Sequence, residues 1–302
     1  MNFKYLILSI LVLFAISAAA QKIQFKKEGK GFWFSENEQR IFFFQRQLND
    51  SFPSHSRCNY FHPVYDLKGD CITEDFPADH LHQRGIYWAW LQIIIDGQQV
   101  ADGWHLQNFV QEIDEVEFKN SPNGNGIFSY TSYWKSPNKP NDPFIQEQTQ
   151  VNIYPRQLNY RRIDFTIQLR ALEHGLQLGG ADNEKGYGGF SIRLKTNDNT
   201  IFTDIDNNTI TPTELAIVSD RFIDISNKKQ KSGVSIIVWE QNPGTSKWIL
   251  RQAKSAQNAA WPGREPIEIS VTQPTVLKYT LIIHKGKRKA IPIKYLLKES
   301  SK

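Results

Sequence analysis

The chain alternates. Across YRRIDFTIQLRAL (160–172), Ile163, Phe165, Ile167 and Leu169 recur at every second position, with Arg162, Asp164, Thr166, Gln168 and Arg170 between them. A period of two sends one set to each face of a strand, so this run reads as a strand half-buried in an antiparallel sheet. GFWF, RIFFFQRQ, IYWAWLQIII, VQEIDEVEFK, GIFSYTSYW, TQVNIY, GFSIRLK, VSIIVWEQ and VLKYTLIIH are further aromatic and β-branched runs of strand length. Between them lie the turn clusters SPNGNG, SPNKPNDP, DNEKGYGG and NPGTS. No segment carries a convincing helical period. About a dozen strands with one apolar face each must stack as two sheets or close on themselves. The expectation is an all-β protein, a large antiparallel β-sandwich formed by residues 21–302 as one domain.

The N-terminus departs from this pattern. MNFKYLILSILVLFAISAAA has a basic start at Lys4, an apolar stretch and small residues at its end. It reads as a secretory signal peptide over residues 1–20, which places the mature chain in the periplasm or outside the cell. No later segment is long and apolar enough to span a membrane. The net charge is +5. Much of the excess sits in the tail, at Lys285, Lys287, Arg288, Lys289, Lys294 and Lys298. Without a basic helix or interleaved aromatics this reads as a solvated basic tail, and nucleic acid is not expected as a partner.

Cys58 and Cys71 are the only cysteines. In an exported chain an isolated pair predicts a disulfide, which would close a loop of about fifteen residues and stabilise the fold by about 3 kcal/mol. It would brace the segment that carries His62.

Chemistry concentrates in the same region. Three of the seven histidines, His62, His80 and His82, fall between Cys58 and Trp90. In DHLHQRG an extended backbone would project His80 and His82 to one side. Asp79 would orient an imidazole, fixing which ring nitrogen holds the proton, and Arg84 offers a forked donor for an oxyanion. His62, Asp79, His80 and His82 are therefore the candidate catalytic residues. His62, His80 and His82 also form the candidate ligand set for a divalent metal with one open position. Trp88, Trp90 and Trp104 suit either core packing or stacking against a sugar ring. KGYGGFSIRLK sets glycines around Tyr187, with Arg193 on the following strand, so Arg84, Trp88, Tyr187 and Arg193 are the candidate substrate-binding residues. Asp75, Asp79 and Glu147 are candidate carboxylates, but no spacing singles out the pair that glycoside hydrolysis needs. His284, closing an apolar run, reads as a satisfied residue at the core edge.

RCNYFHPVYDLKGDCITEDFPADHLHQRGIYWAW and DNEKGYGGFSIRLK, with VWEQNPGTSKWILR and YTLIIHKG downstream, resemble the exported bacterial family labelled methane oxygenase PmoA. The likeness runs from about Gly31 to His284. The label conflicts with the chain, since a membrane oxygenase subunit needs several spanning helices. The resemblance implies instead a β-sandwich of the galactose-mutarotase-like kind, in bacteria that degrade complex glycans. It carries His62, Asp79, His80, His82, Arg84 and Gly85 onto one motif, and Gly186, Tyr187, Gly188, Gly189 and Arg193 onto another. The chain departs at Gln83, where relatives often have a histidine, and at Glu240 and Gln241, where they often have His-Pro. The functional expectation is an exported carbohydrate-active enzyme using histidine acid/base chemistry, by elimination or epimerisation before hydrolysis. The alternative is a non-catalytic glycan-binding module.

Overall fold

The computed structural model describes residues 22–227, 229, 232–244, 247–252, 255–285 and 291–301. The signal-peptide segment and Lys287, Arg288 and Lys289 of the basic tail lie outside the described residues. Two nine-stranded antiparallel sheets dominate. The first runs, edge to edge, through Gln24–Glu28, Gly31–Glu36, Gln39–Gln45, Tyr60–Val64, Ile86–Ala89, Gly189–Ile192, Gln257–Ala260, Lys247–Ile249 and Ile217–Val218. The second runs through Thr209–Ile210, Thr200–Thr203, Phe222–Asn227, Ser232–Val238, Thr275–Lys285, Tyr160–Ala171, Ile145–Ile153, Gly126–Lys135 and Val110–Asn120.

The period of two is what joins them. Ile163, Phe165, Ile167 and Leu169 are all buried. Phe165 meets Phe61 of the first sheet edge-on, with ring centroids 5.5 Å apart. Phe44 meets Phe128 in the same way at 5.0 Å. The inner faces thus interdigitate as an apolar layer, as stacked sheets require.

IYWAWLQIII, read as one run, is two strands. Ile86–Ala89 belongs to the first sheet, while Gln92–Ile95 pairs with Leu176–Gly179 and Gln98–Ala101 in a separate four-stranded sheet. The break falls at Trp90, whose Nε1 donates to the Trp261 carbonyl at 2.8 Å. Trp88 faces the inter-sheet core, 2 % exposed, stacked on Phe190 with centroids 6.4 Å apart. It is therefore a packing residue and offers no face to a sugar.

Two further expectations are corrected. Cys58 and Cys71 are both free thiols. Cys58 is buried with its Sγ 3.1 Å from the Gln111 carbonyl, and Cys71 turns its own Sγ to the Thr73 carbonyl at 3.4 Å. The two sulfurs point to different parts of the molecule. The chain end is not wholly a solvated tail: Ile293–Glu299 is a helix that buries Ile293 and Leu296 against Phe222, Ile237 and Ile282. Among the described residues no helix is long and apolar enough to cross a membrane.

Candidate functional site

Alternation also sends side chains outward from the first sheet. Tyr60, Tyr87 and Ala89 leave its outer face and are buried there with Trp104 and Ala256. The segment 65–84 lies over this face, tied down by bridges Tyr65 to Cys71, Thr73 to Leu194 and Asp75 to Arg84. Gly85 lets it arrive closely, because a Cβ there would stand 1.8 Å from the Phe61 carbonyl oxygen.

DHLHQRG is not extended. The His80 amide donates to the Pro77 carbonyl at 3.0 Å and the Gln83 amide to that of His80 at 2.9 Å, which makes successive turns. The turns still bring the imidazoles of His80 and His82 to a centroid separation of 5.7 Å. The third ring of the cluster is His105, whose centroid is 4.7 Å from that of His82. His62 stands apart on Tyr60–Val64, its Nδ1 3.0 Å from the Thr73 hydroxyl. Its position on a strand next to Gly85 leaves it beneath the overlying segment, away from the other rings. The metal trio His62, His80 and His82 does not assemble, and among the described residues no three His, Cys, Asp or Glu side chains converge as a metal site would require.

Two of the three imidazoles are held by carboxylates. Asp79 Oδ2 lies 2.8 Å from His80 Nδ1, and Asp102 Oδ2 lies 2.7 Å from His105 Nδ1. Asp102 also accepts the backbone N–H groups of Trp104 and His105 on Oδ1, at 2.8 and 2.9 Å, so it folds the turn as well as orienting the ring. In both pairs Nδ1 is occupied and Nε2 is the nitrogen left for a ligand. Among the described residues His82 has no such partner. Burial, then the neighbouring His105 and His80, push its pKa down to about 3, so it is neutral across the ordinary range.

Arg193 positions one pair. It is 1 % exposed and donates from Nε to Glu74 at 2.8 Å, from Nη1 to Gln83 at 2.7 Å, and from Nη2 to both Asp79 oxygens at 2.9 and 3.1 Å. Burial raises the Asp79 carboxyl, but the His80 hydrogen bond and the Arg193 charge more than offset this and hold it below the usual carboxylate range. Gln83 passes the network on through Nε2 to the Ser255 hydroxyl at 3.1 Å. Arg193 therefore supports the site from behind and does not reach a ligand. Arg84 is likewise withdrawn: 1 % exposed, it lies 4.4 Å over the Tyr87 ring and donates to the His82 carbonyl at 3.1 Å.

His80, His82, His105, Trp104, Tyr187 and Arg251 share the lining of one cavity of about 270 Å³. Tyr187 and Trp104 meet with ring centroids 5.0 Å apart. Tyr187 is carried there by a loop that Gly186 permits, with φ +55° and a virtual Cβ only 2.8 Å from the Arg264 amide nitrogen. Arg251 donates to the carbonyls of Thr213, Leu250 and Glu214, and it pairs with no carboxylate among the described residues. Of the sequence candidates, Asp79, His80, His82 and Tyr187 come together. His62, Arg84, Trp88 and Arg193 do not line the cavity. His105 and Arg251 were missed, although the aspartate three residues before His105 is a readable orienting signal.

A model described as a family of unknown function, DUF6807, matches residues 34–297. No curated protein matches significantly. Among solved structures, one described as "a putative mutarotase (YeaD) from Salmonella typhimurium" aligns over 87% of this chain and 94% of its own. Its sequence identity is 9% and its TM-score 0.45.

Proposed function

The chain belongs to the DUF6807 family, and we propose that it is an enzyme that moves protons on a small polyhydroxylated substrate, a sugar or an oxidised sugar, in the histidine cavity. One observation carries this reading: two carboxylate-held imidazoles flank a neutral one on a single cavity. An isomerising or eliminating enzyme needs one group to take a proton and another to return it, and an imidazole oriented through Nδ1 by an aspartate presents Nε2 for either role. In this scheme Nε2 of His80 or His105 accepts a proton from a C–H or O–H of the ring. The other, protonated, gives one to the departing or re-forming oxygen. Neutral His82 hydrogen-bonds between them, and Arg251 faces the charge that develops on oxygen.

The volume suits a compact ligand, and the lining of imidazole, amide, hydroxyl and guanidinium groups suits hydroxyls more than an apolar body. Direct hydrolysis is the weaker option. It needs two carboxyls facing the scissile bond, whereas Asp79 and Asp102 are committed to histidines. Glu147 is buried in the core, accepting from Asn59, Trp134 and Thr149. Export to the periplasm or beyond completes the proposal, from the leader-like N-terminus alone.

The test is a screen of the purified protein against plain and oxidised oligosaccharides in D₂O, followed by mass spectrometry and proton NMR. Deuterium incorporation or bond cleavage, lost in the His80→Ala His105→Ala double variant, is the expected result. Binding without exchange or cleavage would favour a glycan-binding module, a reading that the Trp104 and Tyr187 rings also support.

A further inference from the structure

A second cavity, of about 590 Å³, lies at another part of the sandwich. Ile217–Val218, Lys247–Ile249 and Gln257–Ala260 of the first sheet contribute to it, as do Phe222–Asn227, Ser232–Val238 and Thr275–Lys285 of the second. The segment 239–244 and Leu297 of the terminal helix complete the lining. That segment is pre-shaped. Asn242 Nδ2 donates to the Lys278 carbonyl at 3.0 Å and its Oδ1 accepts the Lys278 amide at 2.7 Å, while the Glu240 amide donates to the Ser300 carbonyl at 3.2 Å.

Three features say what would fit. Trp239 supplies a half-buried aromatic ring, with Trp261 and Tyr279 reaching the wall from the core. Tyr279, 1 % exposed and stacked on Phe190 with centroids 4.5 Å apart, has a hydroxyl with no hydrogen-bond partner among the described residues. A ligand hydroxyl at the cavity wall would give it a partner. Finally, the charges balance. Arg221 and Glu240 pair at 3.4 Å, and Asp220 and Lys247 add one charge of each sign. A phosphate or carboxylate ligand would find no net attraction here. A neutral ring with apolar C–H faces and a hydroxyl rim matches the Trp239 ring, an unpaired phenol and balanced charge.

We propose that this cavity is a second ligand site, and that it takes an uncharged mono- or disaccharide. The site stands on its own lining and does not require the histidine cavity to be catalytic.

The experiment is titration calorimetry and saturation-transfer NMR with glucose, galactose, cellobiose and maltose, beside galacturonate and AMP as charged comparators. Wild type, Tyr279→Phe, Trp239→Ala and His82→Ala are compared, each first checked for cooperative melting. A neutral sugar should bind, and Tyr279→Phe should weaken it about tenfold, the loss that one hydrogen bond accounts for. Trp239→Ala should weaken it at least as much, and His82→Ala should leave it unchanged. The proposal is overturned if no neutral sugar binds or if a charged comparator binds more tightly. It is equally overturned if His82→Ala abolishes binding that Tyr279→Phe leaves intact, because the sugar then sits among the histidines.

Discussion

The imidazoles of His82 and His105 meet with centroids 4.7 Å apart, one on an overlying loop and the other on a turn folded by Asp102. Burial and the adjacent rings push His82 down to about 3. The folded value therefore lies below the unfolded one of about 6.5. Its stabilising effect is fully present above that unfolded value and fades as pH falls toward about 3. Long-range nitrogen NMR should show a neutral His82 ring from about pH 5 upward. An inflection near the ordinary histidine value would contradict the packing described.

Asp102→Asn removes the charge that orients His105 while keeping the turn-forming oxygen. Turnover in the reaction identified by the sugar screen should fall by about 10²- to 10⁴-fold, with little change in KM. The pH profile should also move, because an amide does not stabilise the imidazolium. A matching loss of melting temperature would mark Asp102 as merely structural.

Arg193 holds Glu74, Asp79 and Gln83 at once. Arg193→Met should cost about 3 kcal/mol in urea unfolding, at the low end for a broken buried pair because water still reaches both carboxylates. Arg193→Lys keeps the charge but not the fork, and should recover only part of that loss. Equal stability of Lys and Arg would refute the three-way clamp.

The thiols should be separable by reagent. Cys58 is wholly enclosed and burial pushes it up to about 12, so it should resist maleimide in the native state, while half-buried Cys71 reacts. Dithiothreitol should leave the melting temperature unaltered. A drop on reduction, or an intact mass two hydrogen atoms light, would restore the disulfide.

Asp224 is buried with His284 Nε2 at 2.8 Å and the Ser235 hydroxyl at 2.6 Å. Burial raises its carboxyl, but the His284 hydrogen bond and charge prevail and hold it below its ordinary value. Its contribution is therefore present above the unfolded pKa of about 3.9 and lost as pH falls through the folded one. The melting-temperature gap between wild type and Asp224→Asn should be wide at neutral pH and close in acid. A gap constant with pH would rule out this linkage.

The sandwich was legible wherever a strand was long and two-faced, as in Tyr160–Ala171 and Thr275–Lys285. Short strands such as Leu176–Gly179 and Gln257–Ala260 carry too few alternations to register. Asp79, His80, His82 and Tyr187 were legible because polar residues crowd together in the chain. His105 was not, because its partner rings come from a loop across a sheet face. Arg84 and Arg193 misled for a related reason: a guanidinium that would suit a ligand also suits an aromatic ring or buried carboxylates, and sequence does not say which it finds. Trp88 followed from the alternation that sends Tyr87 and Ala89 outward and leaves it facing in.

Asn258 lines the histidine cavity, and the next two residues of its strand, Ala259 and Ala260, line the other. One short strand thus borders both cavities, the histidine cavity toward its start and the other toward its end. Point substitutions along it reach one compartment at a time, so the two linings are free to drift apart. An inserted residue would shift the register of the whole strand and disturb both compartments together.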